Sequence, residues 1–353
     1  MYLFHNDYNE TCHPAVLSKL AESNGPMSGY GVDECCANAA RLIREKCAND
    51  HLAVHFLVGG TQTNLTVITA ALRPHQAVIA ADTGHVHVHE TGAIEATGHK
   101  IIPLPHVDGK ISPKQVEETY LSQHLSADAE HIAQPKLVYI SNPTEFGTTY
   151  SLQELTALSE ICRKCGLYLF VDGARLGYAL GSENYDVTLA DLARLTDTFY
   201  IGGTKCGAMF GEAVVISNPA IAEDFRYIIK QRGAMLAKGW LLGLQFEALM
   251  ENNRYIEICR HADILADQLR EKLMELGCQS VCTNRTNQVF VKLSGRVLHE
   301  LGKNFTYAVW AEDADGCATV RFCTSWATKR ESVDALCAEL RKLLTEERGI
   351  DIV

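Results

Sequence analysis

One lysine in the sequence stands in a setting suited to covalent catalysis. Lys205 follows two glycines and a threonine, which come directly after the strand-like segment Asp197–Ile201. Partial burial favours the neutral form of a lysine, and the neutral amine is the nucleophile that forms a Schiff base. Neighbouring glycines allow backbone N–H groups to approach a phosphate closely. An ordinary solvated surface lysine is the alternative interpretation of this segment taken alone.

Asp172 is a second candidate for chemistry, because it ends the apolar strand-like segment Leu167–Val171 and begins Asp172-Gly-Ala-Arg175. In open α/β sheets, ligands bind at the carboxyl ends of the strands. A carboxylate there can pair with the ring nitrogen of a pyridine cofactor and keep it protonated, which makes the ring an electron sink. The alternative is a helix N-cap, a role that aspartate fills equally well.

The segment Gly59-Gly-Thr-Gln-Thr-Asn64 follows a strand-like segment and precedes a helix-like one. Backbone donors and the helix dipole at such a turn suit a phosphate dianion. The segment matches neither GxGxxG nor a P-loop, so nucleotide-binding motifs are not supported. A plain strand-to-helix turn is the alternative.

Three histidines alternate with other residues between Asp82 and Glu90. In an extended chain His85, His87 and His89 would share one face, which is an arrangement that a metal site can use. No second cluster of His or Cys with ligand spacing accompanies them. We therefore expect no metal, and favour one of these histidines packing on an aromatic cofactor.

Short apolar segments alternate with longer amphipathic ones through the middle of the chain, which is typical of a mostly parallel sheet covered by helices. Strands are predicted at Ala53–Val58, Ala77–Ala81, Lys100–Pro103, Leu137–Ser141, Tyr168–Asp172, Thr198–Ile201 and Glu212–Ile216. Helices are predicted at Asn64–Leu72, Pro113–Leu121, Ser151–Lys164 and Leu189–Leu195.

The pattern changes in the last third of the chain. It is helical after Ala222, with breaks near Gly233 and Gly239 and a long helix at Ile256–Leu276. The elements predicted after Cys278 are strands at Gln288–Leu293, Tyr307–Ala311 and Cys317–Thr324 and a helix at Lys329–Glu346. We therefore predict an N-terminal segment and large domain at residues 1–250 and a small C-terminal α/β domain at residues 251–353.

The composition excludes several functional classes. Hydrophobic residues make up 47% of the 353, which argues against a disordered chain, and the net charge of −11 argues against a nucleic-acid or anionic-membrane surface. The longest uncharged stretch, Leu52–Leu72, is too polar for a membrane helix. The 13 cysteines, Cys162 and Cys165 among them, and an acidic N-terminal segment predict a reduced, cytoplasmic protein.

Taken together, these motifs resemble the threonine aldolase and β-eliminating lyase family of fold type I enzymes, which depend on pyridoxal 5′-phosphate (PLP). The resemblance extends from Asn6 to about Leu344. Its most specific part is Asp172-Gly-Ala-Arg175 followed by Lys205, 33 positions after Asp172. It implies an α/β protein of the aspartate aminotransferase-like fold, with a mostly parallel seven-stranded sheet in the large domain and a small C-terminal α/β domain.

The resemblance also implies which residues bind PLP. Lys205 matches the lysine that forms the covalent bond, Asp172 the partner of the ring nitrogen, and Arg175 the arginine in reach of the 3′-oxygen. His85 matches the histidine that stacks on the ring. The phosphate-binding residues implied by the resemblance are Gly60, Thr61, Gln62 and Thr204.

Three further residues match positions at the substrate. Arg321 resembles the arginine that binds the substrate carboxylate, where a bidentate guanidinium is suitable. Asn6 stands where the family often has a serine on the same carboxylate. Tyr30 resembles a tyrosine that reaches a neighbouring subunit's site, so a homodimer or homotetramer with shared active sites is implied, acting on a small amino acid.

One departure from the family's pattern concerns catalysis. The segment Ser141-Asn-Pro-Thr-Glu-Phe-Gly147 replaces a Glu-Asn-Thr-His run, so the histidine near the substrate's side-chain hydroxyl is missing. Glu145 and His89 are the candidate replacements, and a base with a near-neutral pKa also suits His85.

Two further departures lie in the cofactor-binding segments. Lys205 follows Gly-Gly-Thr where the family commonly has Ser-x-Ser, and Gly233-Ala-Met-Leu-Ala-Lys238 replaces a Gly-Gly-Gly-Met-Arg-Gln element. Arg232 and Lys238 are the candidates for the phosphate contact that this arginine makes.

The resemblance implies an aldolase that cleaves β-hydroxy-α-amino acids, with L-threonine or L-allo-threonine giving glycine and acetaldehyde. The implied catalytic residues are Lys205, His85, His89 and Glu145. The first alternative is a PLP-dependent β-eliminating lyase, which gives a keto acid and ammonia after Lys205 removes the α-proton. The second is a non-catalytic PLP-binding or metal-binding protein that uses the histidines between His85 and His89.

Overall fold

The computed structural model describes residues 1–23 and 25–347. The strands in these residues are β1 Tyr2–Leu3, β2 Ala53–Leu57, β3 Gln76–Ala81, β4 Lys100–Leu104, β5 Gln134–Ser141, β6 Tyr168–Asp172, β7 Thr198–Gly202, β8 Glu212–Ile216, β9 Gln288–Ser294, β10 Phe305–Thr306, β11 Ala308–Glu312 and β12 Cys317–Cys323. The α-helices are α1 Pro14–Glu22, α2 Glu34–Lys46, α3 Gly60–Ala71, α4 His85–Val88, α5 Pro113–His124, α6 Leu152–Lys164, α7 Leu176–Gly181, α8 Leu189–Leu195, α9 Pro219–Ala222, α10 Phe225–Gln231, α11 Trp240–Met250, α12 Arg254–Glu275, α13 Gly295–Leu301 and α14 Arg330–Glu347.

Seven strands form one large sheet in the order β2-β8-β7-β6-β5-β3-β4. Neighbouring strands pair in parallel from β4 to β7, and β8 is antiparallel to both β7 and β2. Because β8 alone runs in the opposite direction, the other six strands all end at the same edge of the sheet. The predicted mostly parallel seven-stranded sheet is confirmed.

Helices cover both faces of this sheet, and alternate residues of each strand pack on opposite sides. Val138 of β5 belongs to a core with α5, α6, α8 and α12, whereas Leu137 and Tyr139 belong to a second core with α3 and α10. A strand that is buried on both faces is apolar at almost every position, which explains why these segments were recognisable in the sequence.

Capping boxes define where several of these helices begin. In each box a side-chain hydroxyl accepts from a backbone N–H three residues later, and the side chain of that residue bonds back. The pairs are Ser112–Gln115 in α5, Ser151–Glu154 in α6 and Thr188–Asp191 in α8.

A second, antiparallel sheet has the order β11-β12-β9 and packs with α12, α13 and α14 around its own core. Strand β1 pairs in parallel with β10, so Tyr2–Leu3 lies with this smaller unit. Phe4 is also part of the small core. The amino-terminal segment therefore crosses from the small unit to the large one. The division of the chain near residue 250 stays a prediction.

The structure contains helices for which the sequence pattern gave no prediction, namely α1, α2, α4, α7, α9 and α13. Helix α7 is short and apolar on all sides, since five of its six residues are buried. Such a segment has no amphipathic periodicity. Within the described residues, no helix is both long enough and apolar enough to cross a membrane.

Gly173 lets the chain that leaves β6 pass directly against β7. A β-carbon at Gly173 would lie 1.8 Å from the carbonyl oxygen of Tyr200. We expect Gly173→Ala to lower the free energy of unfolding by about 3 kcal/mol or more, because side-chain rotation cannot relieve a clash with backbone. Urea denaturation of the cofactor-free protein measures this loss.

Gly59→Ala is the matched control, since nothing lies within 4 Å of a β-carbon at that position and its φ of −174° is extended backbone. An equal loss of stability in both variants would contradict the explanation.

Candidate active site

A cavity of about 350 Å³ opens at the edge of the large sheet where the six parallel strands end. Loops that follow several of these strands contribute to its walls, which is where open α/β sheets bind ligands. Of the residues singled out in the sequence, those that line the cavity are Gly60, Thr61, His85, Glu145, Asp172, Arg175, Thr204 and Lys205.

Asp172, the last residue of β6, is 4% exposed and accepts four hydrogen bonds. Its Oδ2 accepts from the hydroxyl of Tyr139 at 2.5 Å and from Nδ2 of Asn64 at 3.1 Å. Its Oδ1 accepts from the hydroxyl of Tyr200 at 2.5 Å and from the backbone N–H of Ala174 at 3.0 Å. The two tyrosines lie on β5 and β7, so the carboxylate is held from both neighbouring strands.

His85 is connected to Asp172 through buried side chains. Its Nδ1 lies 2.8 Å from Oε1 of Glu90, which also accepts a 2.7 Å hydrogen bond from Nδ2 of Asn64. The same Asn64 nitrogen reaches Asp172. This chain fixes the orientation of the His85 ring relative to the Asp172 carboxylate at the cavity wall.

Lys205 lies in the turn that follows β7, and its carbonyl oxygen accepts a 2.6 Å hydrogen bond from the hydroxyl of Tyr178. Burial lowers the pKa of the Lys205 amine, and the positive charge of Arg175 lowers it further. The carboxylates of Asp7, Asp172 and Glu212 act in the opposite direction without reversing the shift. The result favours a neutral, nucleophilic amine.

Arg175 forms a bidentate ion pair with Asp7, with Nε 2.7 Å from Oδ2 and Nη2 3.0 Å from Oδ1. Asp7 is fully buried and also accepts a 2.9 Å hydrogen bond from Nδ2 of Asn287. Burial alone would raise the pKa of Asp7, but the charges of Arg175 and Lys205 outweigh it and lower that pKa to about 2. The N-terminal segment is thereby attached to the cavity wall.

Helix α3 begins at Gly60 with its N-terminus at the cavity, and no side chain caps it. The first N–H groups of a helix have no partner within the helix, so they are available to an anion. The hydroxyl of Tyr200 would be 3.1 Å from a β-carbon at Gly60, so a larger residue would crowd this end.

Glu145 is 8% exposed, and its Oε1 accepts from the backbone N–H of His85 at 2.9 Å and from Oγ of Ser141 at 2.7 Å. Burial raises the pKa of Glu145, and the nearby charge of Asp172 adds to that effect. A buried carboxyl with a raised pKa beside a cavity is suited to proton transfer.

Comparison with known proteins agrees with this geometry. Residues 14–295 match the family model described as beta-eliminating lyase. The chain belongs to the beta-eliminating lyase family. A solved structure of Leishmania major threonine aldolase is 47% identical, with a TM-score of 0.95, over 98% of this chain and 100% of that one.

More distant members and neighbours extend this comparison. The low specificity L-threonine aldolase of a Pseudomonas species is 29% identical over 96% of this chain and 97% of the relative. Aspartate aminotransferase from Thermus thermophilus shares the fold alone, at 16% identity and a TM-score of 0.70 over 97% of this chain and 91% of that one. The aspartate aminotransferase-like fold is therefore confirmed.

Two residues that the sequence predicts at the site, Gln62 and His89, lie near the cavity without lining it. The side-chain carbonyl of Gln62 accepts a 3.3 Å hydrogen bond from the backbone N–H of Val58. His89 is exposed, and its ring centroid is 5.6 Å from that of His85. Burial, His85 and Arg321 each lower the pKa of His89.

The three predicted substrate contacts also lie outside the lining of this cavity. Arg321 donates to the side chain of Gln288 at 3.0 Å, and its guanidinium lies over the ring of Trp310. The side chain of Asn6 accepts from the backbone N–H of Tyr8. Tyr30, with a φ of 62°, lines a separate cavity of about 450 Å³. Their roles stay predictions.

The three alternating histidines do not lie on a strand, since His85–Val88 is a helix. Among the described residues, no group of three or more His, Cys, Asp or Glu side chains is arranged to hold a metal ion.

Sequence reasoning missed residues that contact Asp172, Arg175 or the Lys205 turn. The sequence could have indicated Asn64, because this residue stands one helical turn after the glycine turn at Gly59–Gly60. Glu212 was visible as a lone acid at the start of an apolar strand. The missed residues are Asp7, Asn64, Tyr139, Tyr200 and Glu212.

The ion pair of Asp7 and Arg175 predicts a pH-dependent contribution to stability. The folded-state pKa of Asp7, about 2, is below the ordinary value of 3.8. The pair therefore stabilises the fold fully above about pH 4, and this stabilisation is lost as the pH falls toward 2. We expect Asp7→Asn to cost about 3–5 kcal/mol at pH 7, because it leaves a buried arginine without its counter-charge.

Denaturation of both proteins from pH 7 to pH 3 measures the difference in unfolding free energy. The difference is expected to shrink below pH 4. Asp50→Asn, which removes an exposed acid from the turn before β2, is the control and should change stability by less than about 1 kcal/mol. A difference that stays constant with pH would contradict the assignment.

Proposed function

We propose that this chain is a PLP-dependent aldolase that cleaves β-hydroxy-α-amino acids, with L-threonine or L-allo-threonine giving glycine and acetaldehyde. One observation carries the proposal: a lysine with a lowered pKa and a hydrogen-bonded, buried aspartate face the same cavity as an uncapped helix N-terminus. Relatives described as threonine aldolases, similar over nearly the whole chain, support the reaction.

The residues of the cavity fit PLP group by group. The helix end at Gly60 and Thr61 offers free N–H donors to the phosphate. Asp172 would pair with the protonated ring nitrogen, and His85 would stack on the ring. When bound, PLP supplies an electron-accepting ring that stabilises negative charge on the substrate's α-carbon.

The side chains of this protein would bind the cofactor and the substrate and hold them in orientation. Lys205 would provide the amine that holds the cofactor, because its lowered pKa favours the neutral, nucleophilic form. Arg175 supplies positive charge to the cavity, held in place by Asp7. The chain from Asn64 to Glu90 keeps the His85 ring in orientation. Arg321 and Asn6 are proposed to bind the substrate carboxylate, and Tyr30 to act on a neighbouring subunit's site.

Glu145 is the proposed base that takes the proton from the substrate's β-hydroxyl as the Cα–Cβ bond breaks. Its Oε1 is engaged by Ser141 and by the backbone of His85, which leaves Oε2 for the substrate. The raised pKa of the Glu145 carboxyl makes it a stronger base than an exposed glutamate. His89 is the second candidate for this role.

The second candidate function is β-elimination, which gives a keto acid and ammonia. The observation that favours it is the match to the beta-eliminating lyase model over residues 14–295. In this reaction Lys205 would remove the α-proton, and no base is needed at a β-hydroxyl.

A substrate panel separates the two reactions. Purified protein with PLP is expected to release acetaldehyde and glycine from threonine or allo-threonine, and no pyruvate from serine or cysteine. Lys205→Ala is expected to lose both the activity and the visible absorbance of the lysine-bound cofactor. Lys164→Ala, on the exposed face of α6, is the matched control. Keto acid without glycine would select β-elimination.

Replacement of Glu145 tests the proposed base. We expect Glu145→Gln to lower kcat by about 10²–10⁴-fold, the usual contribution of a general base. The ionised form is the active one, so unsubstituted enzyme should lose activity as the pH falls through the raised pKa of Glu145, and the variant should lack this acidic limb. Glu154→Gln, an acid paired with Lys110 outside the cavity, is the control. If kcat stays unchanged in Glu145→Gln, the base is another residue.

A further inference from the structure

Glu212 is a buried acid at the floor of the cavity. It is the first residue of β8, pairs with Leu57 of β2 on one side and with Gly202 of β7 on the other, and is 3% exposed. Strand β2 leads into the turn at Gly59–Gly60, and β7 leads into the turn that carries Lys205. Glu212 therefore lies between the two turns that face the cavity.

Its carboxyl group contacts the Lys205 turn through both oxygens. Oε2 accepts from the backbone N–H of Gly203 at 3.0 Å, and Oε1 accepts from the hydroxyl of Thr204 at 2.9 Å. The Thr204 oxygen in turn accepts from the backbone N–H of Gly211 at 3.0 Å. One carboxyl thus joins the two residues before the lysine to the loop that returns to β8.

Hydrogen bonding alone does not require an acid here. Two donors are satisfied equally by a neutral amide or hydroxyl, whereas a buried carboxylate is costly to desolvate. Burial raises the pKa of Glu212 to about 8, even though Lys205 counteracts this effect. A carboxyl that titrates near neutral pH can exchange a proton with a nearby lysine whose pKa is lowered.

We propose that Glu212 is a positioning residue for Lys205, which fixes the Gly203–Thr204 turn and adds to Asp7 and Asp172 a negative charge that favours the protonated form of the Lys205 amine. The proposal rests on the proposed function and adds to it a residue that acts through the lysine. Residues 203–205 form the turn on which the lysine is presented, so a shift of the carboxyl moves the amine.

Other charged and titratable groups face this pair. Arg175, Asp7 and Asp172 act on Lys205 from the N-terminal segment and from the loop after β6. Tyr200 of β7 and Tyr255 of α12 are near enough to Glu212 for its charge to contribute to the rise in their pKa values. Because Asp7, Asp172 and Arg175 remain unchanged in a Glu212 variant, a shift in the titration of Lys205 reports on Glu212.

The first experiment uses cofactor-free protein, so that it does not depend on the reaction. The rate at which an amine-reactive reagent modifies Lys205 is measured against pH by peptide mass spectrometry. Glu212→Gln is expected to lower the pH midpoint of Lys205 modification by about 1 pH unit, because it removes a negative charge that favours the ammonium form of Lys205. Asp263→Asn, a buried acid outside the cavity, is the matched control and should leave the midpoint unchanged.

The second experiment measures kinetics with PLP bound. In Glu212→Gln, kcat is expected to fall about tenfold while KM changes less than about twofold, which is the pattern of a group that acts on the chemical step. Thr204→Val breaks the hydroxyl link and keeps the charge, so it should lower kcat without moving the Lys205 midpoint. Thr204→Ser restores the hydroxyl and should restore kcat.

An unchanged Lys205 midpoint in Glu212→Gln overturns the proposal, as does unchanged kcat in both Glu212→Gln and Thr204→Val. If Glu212→Gln does not fold, the Thr204→Val and Thr204→Ser pair decides. A positioning role predicts loss of kcat in the first and recovery in the second at unchanged affinity for PLP, whereas a phosphate contact of Thr204 predicts weaker PLP binding in Thr204→Val. If the unsubstituted protein releases no aldehyde, the proposed function is wrong, while the titration of Lys205 in cofactor-free protein still supports or overturns the role of Glu212.

Discussion

The site depends on the burial of one carboxylate, that of Asp172. A buried carboxylate is unfavourable unless hydrogen bonds replace the water it loses, and here they come from Tyr139 on β5, Tyr200 on β7 and Asn64 on α3. Three elements from distant parts of the chain must therefore meet at the end of β6. Because they meet there, the segments that follow β5 and β7 are also held at this edge, with Glu145 in the first and Lys205 in the second.

The cavity also contains more acidic than basic side chains among lysine, arginine, aspartate and glutamate. Its basic side chains are Lys205 and Arg175, and the acids that line or adjoin it are Asp7, Glu145, Asp172 and Glu212. Asp7 is neutralised by its ion pair, which is why its pKa falls to about 2. Burial instead raises the pKa of Glu145, and it raises the pKa of Glu212 to about 8.

The sequence was informative where a function depends on a local pattern. Asp172, Lys205 and the turn at Gly60 each follow an apolar strand, and parallel strands bring their carboxyl ends to one edge. Asp7 could not be found in this way, because its partner Arg175 is 168 residues away and no periodicity connects the two. Glu212 is the first residue of β8, which runs opposite to the other strands. Its amino end therefore lies at the edge where the other strands have their carboxyl ends, and the rule that ligands bind at the carboxyl ends of strands does not point to it.

The absence of the family's histidine in the segment Ser141–Gly147 bears directly on which bond is broken. Aldol cleavage needs a base at the β-hydroxyl, whereas β-elimination needs only the removal of the α-proton. Glu145 lies in that same segment, lines the cavity and has a raised pKa, while His89 is exposed and outside the lining. A carboxyl therefore stands near the place of the missing imidazole, with its basicity increased by burial. Because elimination would not require the proposed base Glu145, a carboxyl at this place in the cavity favours the proposal that the Cα–Cβ bond is cleaved.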